Sequence, residues 1–332
     1  MNRYSKQAIF LGSDCDAALR KASVAIVGLG ATGCTIASWL ARAGVGHLTL
    51  IDRDLVELSN LQRQILYGET DIGKPKAIAS AEILRAANSE IDIEPIVTDL
   101  TSGNALGVLS GYGLIMDGTD NFEARYLIND VAILKQIPWV YCGAIGSEAM
   151  VWPILQPETS CLRCLMEEPP EAGDVDTCDS AGVLGPAVGV AASWAAMEAL
   201  KILSGRETAR DIARFDLWKN ERQFIFPPTN RCKFCTETIT EFLDERWSVR
   251  ASLLCGLDGV QIRVNPPGDL DLEQLKPRLE ARTGAPWKHS SLAIAGTDGN
   301  LEITIFKDGR ALLHGEITPD RARGWYAEVV GC

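Results

Sequence analysis

A chain of 332 residues is longer than one hydrophobic core usually supports, so a large domain followed by a smaller one is the first expectation. With 46% hydrophobic and 23% charged residues and no low-complexity run, the composition excludes a disordered or fibrous chain. A formal charge of −12 argues against a nucleic-acid binder, which needs a basic face to neutralise phosphates.

The N-terminus leads into no long apolar run, and the most apolar helix-like stretch, residues 182–203, reads as interrupted by Pro186 and Glu198. No signal, anchor or membrane contact is therefore expected. Ten cysteines, four of them in two Cys-x-x-Cys pairs, suit a reducing compartment rather than a secreted disulfide framework, which places the chain in the cytoplasm. Residues 23–27 form a short β-branched run that ends in Gly28-Leu29-Gly30-Ala31-Thr32-Gly33, and apolar residues then recur at helical spacing to Ala43. Residues 47–52 read as a second buried strand that closes a parallel, right-handed β-α-β unit. Further strands are predicted at 93–97, 114–117 and 139–144, and helices at 76–87 and 122–135. The pattern is an α/β fold, a doubly wound, Rossmann-like and mainly parallel sheet occupying residues 1–240. Residues 155–183 lack periodicity and are rich in Pro, Asp, Glu and Cys, as expected of a functional crossover loop. Residues 236–250 read as a charged linker. Beyond it, 260–264, 270–282, 291–295, 301–307, 311–314 and 319–330 predict β-α-β-β-β-α, a small α+β domain spanning 250–332.

Gly28-x-Gly30-x-x-Gly33 after a strand lets backbone approach a phosphate, with the N-terminus of the following helix supplying N–H donors and partial positive charge. Asp52, at the end of the second strand, is placed to accept from ribose hydroxyls. These features alone leave an NAD-dependent oxidoreductase open. The residues after Asp52 shift the balance toward a nucleoside triphosphate. Asp54 and Ser59-Asn60-Leu61-Gln62-Arg63-Gln64 form a polar, arginine-bearing segment of no evident use to a dinucleotide enzyme. Arg63 can meet phosphate oxygens bidentately, and Lys76 opens a helix as a compact cation; either residue alone also reads as a solvated surface charge. In Asp117-Gly118-Thr119-Asp120-Asn121, Asp120 is the candidate Mg²⁺ ligand, or else the N-cap of the helix that begins near Phe122.

Cys161-x-x-Cys164 and Cys232-x-x-Cys235 supply four thiolates at the spacing of a tetrahedral Cys₄ zinc site. All four positions would be filled, so the metal is structural; a pair of redox motifs is the competing reading. Cys15, Cys34, Cys142, Cys255 and Cys332 read as buried or terminal thiols. His47, His289 and His314 have no Ser or Cys partner by spacing, so no triad is expected.

Taken in order, Arg3-Tyr4-Ser5-Lys6-Gln7, the glycine turn, Ser59-Asn60-Leu61-Gln62-Arg63-Gln64, Lys76 and Asp117-Gly118-Thr119-Asp120-Asn121 resemble the ThiF/MoeB/HesA family of ubiquitin-activating-like adenylyltransferases. The likeness runs from Arg3 to about Cys235. It implies ATP contacts from Gly30, Asp52, Asn60, Arg63, Lys76 and Asp120. It also implies a homodimer in which a basic residue of the N-terminal motif, here Lys6, reaches the neighbouring subunit's site. The family more often carries arginine there, so a point charge replaces a bidentate one. The implied reaction is attack of the C-terminal glycine carboxylate of a ubiquitin-like sulfur carrier ending in Gly-Gly on the α-phosphate of Mg·ATP. Positioning and charge neutralisation by Arg63, Lys76, Lys6 and Asp120 would drive it. The carrier is expected to be ThiS-like, serving thiamine thiazole formation, or alternatively MoaD-like, and a cysteine desulfurase is a candidate sulfur donor. Cys178, inside the crossover loop, is placed to hold the activated carrier as a thioester or acyl disulfide, or else is a loop thiol that adenylation does not need. Outside the family, the oxidoreductase and a non-catalytic, zinc-stapled binding scaffold remain as readings.

Overall fold

A computed structural model of the chain describes residues 3–168, 182–244, 251–253, 259–263 and 270–330. The chain divides into two compact units, Met1–Trp247 and Ser248–Cys332.

In the first unit, two short helices, α1 (Ser5–Leu11) and α2 (Ser13–Lys21), precede β1 (Ser23–Val27). Next come α3 (Ala31–Ala43), β2 (His47–Ile51), α4 (Lys76–Ala87), β3 (Asp92–Ile96), α5 (Ala105–Leu109), β4 (Leu114–Asp117), α6 (Phe122–Lys135) and β5 (Trp139–Ile145). β6 (Glu148–Ile154), α7 (Leu162–Leu165), α8 (Gly185–Leu203), β7 (Ile212–Asp216), β8 (Glu221–Ile225) and α9 (Lys233–Glu237) complete the unit. The strands form one eight-stranded sheet in the order β3-β2-β1-β4-β5-β6-β7-β8. β3 through β5 run parallel, and β6, β7 and β8 each pair antiparallel with the strand before. The strand order reverses between β1 and β4, the place where open α/β sheets form a ligand crevice. The register puts Val27 opposite both Ile51 and Asp117, so β1, β2 and β4 end level with one another at that crevice.

The predicted strands and helices up to β5 are present to within a residue or two. β6, β7 and β8 were not anticipated. Pro153 lies inside β6, paired with Val140, and proline normally argues against an interior strand. Every residue of β8 is exposed, so it carries no buried alternation for a sequence reading to detect. The stretch read as interrupted by Pro186 is one helix, α8. Pro186 sits in its first turn, where the missing N–H costs nothing. Glu198 is buried on that helix, and its carboxylate accepts from Lys201 Nζ at 2.6 Å and from Ala209 N–H at 3.1 Å. Among the described residues α8 is the one helix long and apolar enough to cross a membrane, yet it packs on α3 and on β4, β5 and β6 as a core helix.

In the second unit β9 (Ala251–Leu253), β10 (Gly259–Ile262), α10 (Leu272–Thr283), β11 (Lys288–His289), β12 (Ala293–Asp298), β13 (Leu301–Phe306), β14 (Ala311–His314) and α11 (Pro319–Val329) build a six-stranded antiparallel sheet in the order β11-β12-β13-β14-β10-β9. The predicted β-α-β-β-β-α order is there, with β9 and β11 added at its edges. Leu275, Leu279, Trp325 and Tyr326 from the two helices bury against Val260, Ile303, Ile305 and Leu313 of the sheet. Asp271 caps α10 by accepting from Glu273 and Gln274 N–H, and Thr318 caps α11.

Within the first unit, α6 fastens later segments to the sheet. Asn129 Oδ1 accepts from Leu162 N–H at 2.9 Å, and Asp130 Oδ2 accepts from Phe242 N–H at 2.8 Å. Phe242 packs on Tyr126 with ring centroids 4.6 Å apart and the rings tilted by 36°, so the predicted linker is packed as far as Phe242. Asp130 Oδ1 is buried without a hydrogen-bond partner among the described residues, and burial pushes this carboxyl up to about 7 from the usual 3.8. The native chain therefore holds a proton here that the unfolded chain has released, and stability falls as pH rises from about 4 to about 7, then levels off. Asp130→Asn is expected to remove that slope. Melting midpoints of variant and wild type, compared at about pH 5 and about pH 8, should show the variant gaining on the wild type at the higher pH.

Candidate nucleotide site and cysteine cluster

The turn after β1 depends on three glycines from two loops and a helix. Gly28 takes φ +82°, in the left-handed region, and a Cβ on it would lie 2.8 Å from the Gly118 carbonyl carbon. A Cβ on Gly33 would lie 1.8 Å from Gly28 O, and one on Gly118 2.5 Å from the same oxygen and 2.6 Å from Gly33 Cα. The loops after β1 and β4 and the first turn of α3 thus touch backbone to backbone. Sequence reasoning assigned Gly118 no such role; its signal was its place directly after a buried strand. Over Gly30 there is open space, since a Cβ there would meet only Gln64 Nε2 at 4.0 Å.

Asp52 is buried. Its Oδ2 accepts from Leu29 N–H at 2.6 Å and its Oδ1 from Asp54 N–H at 2.7 Å, so the residue read as a ribose acceptor also fixes the glycine turn and the chain leaving β2. Burial and the adjacent Asp54 push its carboxyl up, with Lys76 opposing. Lys76 opens α4 with its side chain only 8% exposed and Nζ 3.3 Å from Asp54 Oδ2. Burial works against its charge, but Asp54, Asp52 and Asp120 outweigh that and hold the ammonium protonated. Arg53, which the sequence reading passed over, pairs with Asp99 at 3.1 Å and Asp54 at 3.4 Å and feels Asp120 as well. These couplings bring Asp52, Arg53, Asp54, Lys76 and Asp120 together at the ends of β2 and β4.

The polar segment begins with a 3₁₀ turn, Leu58–Asn60, in which Asn60 is buried and accepts from Glu57 N–H through Oδ1 at 3.1 Å. Arg63, half-exposed, donates from Nη1 to Ser59 O at 3.1 Å. Gln64 is buried beside Gly30, and its Oε1 has no partner among the described residues. The start of α8 reaches the same segment, where a Cβ on Gly185 would lie 3.4 Å from Gln62 O.

One reading of the β4 loop changes, and one residue takes a role the sequence did not assign. The N-cap of α6 is Asn121, whose side chain accepts from Glu123 N–H at 2.8 Å; Asp120 is left exposed at the mouth of the crevice. The Asp117 carboxylate turns inward rather than toward a ligand. It accepts from Thr119 N–H at 2.9 Å and Thr119 Oγ1 at 2.6 Å, and pairs with Arg125 Nε at 2.9 Å. Arg125, buried over Tyr141 and missed by sequence reasoning, also donates to Thr119 O at 2.6 Å and so clamps the loop that carries Asp120.

Lys6 does not join this group. Tyr4 packs against Gly44, and Gln7 Nε2 donates to Ala43 O at 2.9 Å, which docks α1 at the C-terminal end of α3. The 13 residues of α3 separate that end from the glycine turn by about 20 Å. Lys6 itself is exposed, and Arg3 is held on Ala87 O and Glu90.

Cys161, Cys164, Cys232 and Cys235 do converge: four of the six Sγ–Sγ separations are 3.6 to 3.8 Å, and all lie within 4.8 Å. A tetrahedron with metal–sulfur bonds of about 2.3 Å has edges of about 3.8 Å, so the cluster fits zinc and is far too open for disulfides. Asn129 holds the first hairpin to α6, while Arg163 lies over the Phe234 ring and pairs with Glu241 at 3.0 Å. Cys15, Cys34 and Cys142 are buried thiols, the last two pushed up by desolvation. Cys178, Cys255 and Cys332 lie outside the described residues. His47 bonds Asp92 and Thr49, and no described histidine has a Ser or Cys partner. A groove of about 640 Å³ between α3 and α8, lined by Trp39, Ile65, Trp194 and Met197, contains none of the residues gathered at the glycine turn.

A doubly wound sheet with phosphate-compatible backbone at its switch point defines a nucleotide-binding α/β protein, and solved structures agree on the fold. The crystal structure of E. coli MccB with ATP superposes with a TM-score of 0.62 at 22% identity, covering 71% of this chain and 74% of that one. The ThiF family matches residues 4–236, and the chain belongs to it. It is 37% identical over 336 residues to the Bacillus subtilis sulfur carrier protein ThiS adenylyltransferase, covering 99% of each chain. It is 38% identical over 268 residues to a Thermus thermophilus sulfur carrier protein adenylyltransferase, covering 77% of this chain and 97% of that one.

Gly118→Ala is expected to cost about 1–3 kcal/mol in denaturant unfolding, because its Cβ meets only backbone that cannot swing aside. Metal analysis of the purified chain should return one zinc per chain, and Cys232→Ser should lower both that ratio and the melting midpoint.

Proposed function

We propose that this protein is an ATP-dependent adenylyltransferase that activates the C-terminal carboxylate of a ubiquitin-like sulfur carrier ending in Gly-Gly, with a ThiS-like protein as its partner. The observation that carries the reading is the gathering of Lys76, Arg53 and Asp120 around an open glycine turn, in a ThiF-family chain that aligns end to end with the B. subtilis relative. Backbone N–H groups from Gly30 to Gly33 and the cations Arg63 and Lys76 take the triphosphate, while Asp52 and Asn60 face the ribose and Gln64 Oε1 supplies a buried acceptor beside Gly30. Asp120 holds the Mg²⁺ that accompanies ATP and screens its charge. The carrier carboxylate then attacks the α-phosphorus, and pyrophosphate leaves without any side-chain base. The cysteine cluster holds zinc as a closed structural site.

The same reading makes the protein a cytoplasmic homodimer in which Lys6 completes the partner's site. What supports it is the apolar surface around α1, with Ile9 80% and Phe10 86% exposed on the helix that carries Lys6. Cys178 acts after adenylation: as a thiolate it displaces AMP from the acyl adenylate to give a thioester, or, once it carries a persulfide received from a desulfurase-type donor, its outer sulfur displaces AMP to give an acyl disulfide. Nucleotide chemistry belongs to residues 1–240, which carry every residue assigned to it above.

ATP–pyrophosphate exchange tests this with ThiS-like and MoaD-like carriers. Exchange should appear with the ThiS-like carrier, fall at least about 100-fold in Asp120→Ala, and persist in Cys178→Ala. Exchange with the MoaD-like carrier alone would change the partner, and exchange with neither would sink the reading.

A further inference from the structure

Tyr67 stands just after the polar segment, buried, with its hydroxyl 2.8 Å from Leu29 O and 2.9 Å from Ser80 Oγ. A carbonyl can only accept, so the phenol proton goes to Leu29 and the Ser80 proton goes to the phenol oxygen. Desolvation pushes the Tyr67 hydroxyl well above its ordinary value, so it stays a neutral donor. Leu29 is therefore pinned on both sides, its N–H on Asp52 and its C=O on Tyr67. The Leu29–Gly30 peptide is trans, since the only cis bond among the described residues is Gln156–Pro157, and in a trans peptide the N–H points opposite to the C=O. With the Leu29 carbonyl drawn inward to Tyr67, the Gly30 N–H faces outward over the open space at Gly30. The first N–H groups of α3 beyond it have no intrahelical acceptor. Ser80, fully buried on α4, ties the same hydroxyl to the helix that begins with Lys76.

We propose that the Tyr67 hydroxyl is a positioning residue for phosphate binding: with Ser80 it aims the Gly30 N–H at the nucleotide's phosphates and registers that donor against Lys76. The inference rests on the adenylyltransferase reading. Tyr67 touches no substrate atom; it acts by fixing one peptide plane. A role confined to stability would weaken every ligand of the site alike, whereas a peptide aimed at phosphate matters only to ligands that carry one.

Displacement of a fluorescent ATP analogue by Mg·ATP and by adenosine, on the full chain and its Tyr67→Phe and Ser80→Ala variants, separates these outcomes and reads weak competitors. In Tyr67→Phe the Kd for ATP should rise about three- to tenfold, the range for one neutral hydrogen bond, while that for adenosine stays within about twofold. Ser80→Ala should show the same phosphate-selective loss, smaller in size, and keeps the test decisive where Tyr67→Phe folds poorly. Equal weakening toward both ligands, or no change toward ATP, overturns the proposal and leaves the adenylyltransferase reading standing. Failure of the wild type to bind ATP overturns both.

Discussion

The contact of Gly28, Gly33 and Gly118 sets the geometry of everything around it. At this spot the loop after β1, the first turn of α3 and the loop after β4 lie closer than any side chain allows, so the N-terminus of α3 comes down onto the sheet edge between β1 and β4. That approach leaves helix N–H groups at the switch point instead of a layer of side chains above it. Asp52 and Tyr67 then hold the turn from two sides, and Gly30 is left as the open face of the cradle.

Charge around the cradle is organised against the chain's own excess. A net charge of −12 repels a nucleoside triphosphate at long range, so binding needs cations fixed at short range. Lys76 and Arg53 are fixed by carboxylates from the same neighbourhood, Asp54 and Asp99, and stay charged where burial alone would favour the neutral forms. The Asp117–Arg125 pair is buried on both sides, at 0% and 7% exposure, and it acts on the loop between them. Breaking either partner would leave a buried charge without compensation, which is why such a pair defines one loop conformation better than a surface pair could.

Helix α6 links the two chemical features of the first unit. Its N-terminus is capped by Asn121, next to Asp120, and its second turn places Arg125 under the same loop. Farther along, Asn129 and Asp130 hold the backbone at Leu162 and Phe242, which flank the cysteine cluster. The cysteine hairpins are thereby fastened to the element that begins at the nucleotide crevice.

What the sequence determined by itself is local. The β-branched run before Gly28, the cysteine spacing and the glycine pattern specify strand, zinc-compatible thiol pairs and phosphate-compatible turn through residue chemistry that acts over a few positions. The sequence also ordered Asp52, Arg63, Lys76 and Asp120 along the chain, and the parallel sheet brings the ends of β1, β2 and β4 level because their register is fixed by buried faces. Tertiary structure alone decided the rest. Tyr67 and Gly118 gain their roles from partners far along the chain, a carbonyl and a glycine turn, and Arg125 from a carboxylate eight residues before it; no periodicity announces any of the three. The same holds for Asp117, which points inward to Arg125 while Asp120 faces out, and for Lys6, which α3 carries about 20 Å from its own chain's glycine turn. β8 joins the sheet through backbone pairing with β7, and backbone hydrogen bonds leave no mark on side-chain pattern.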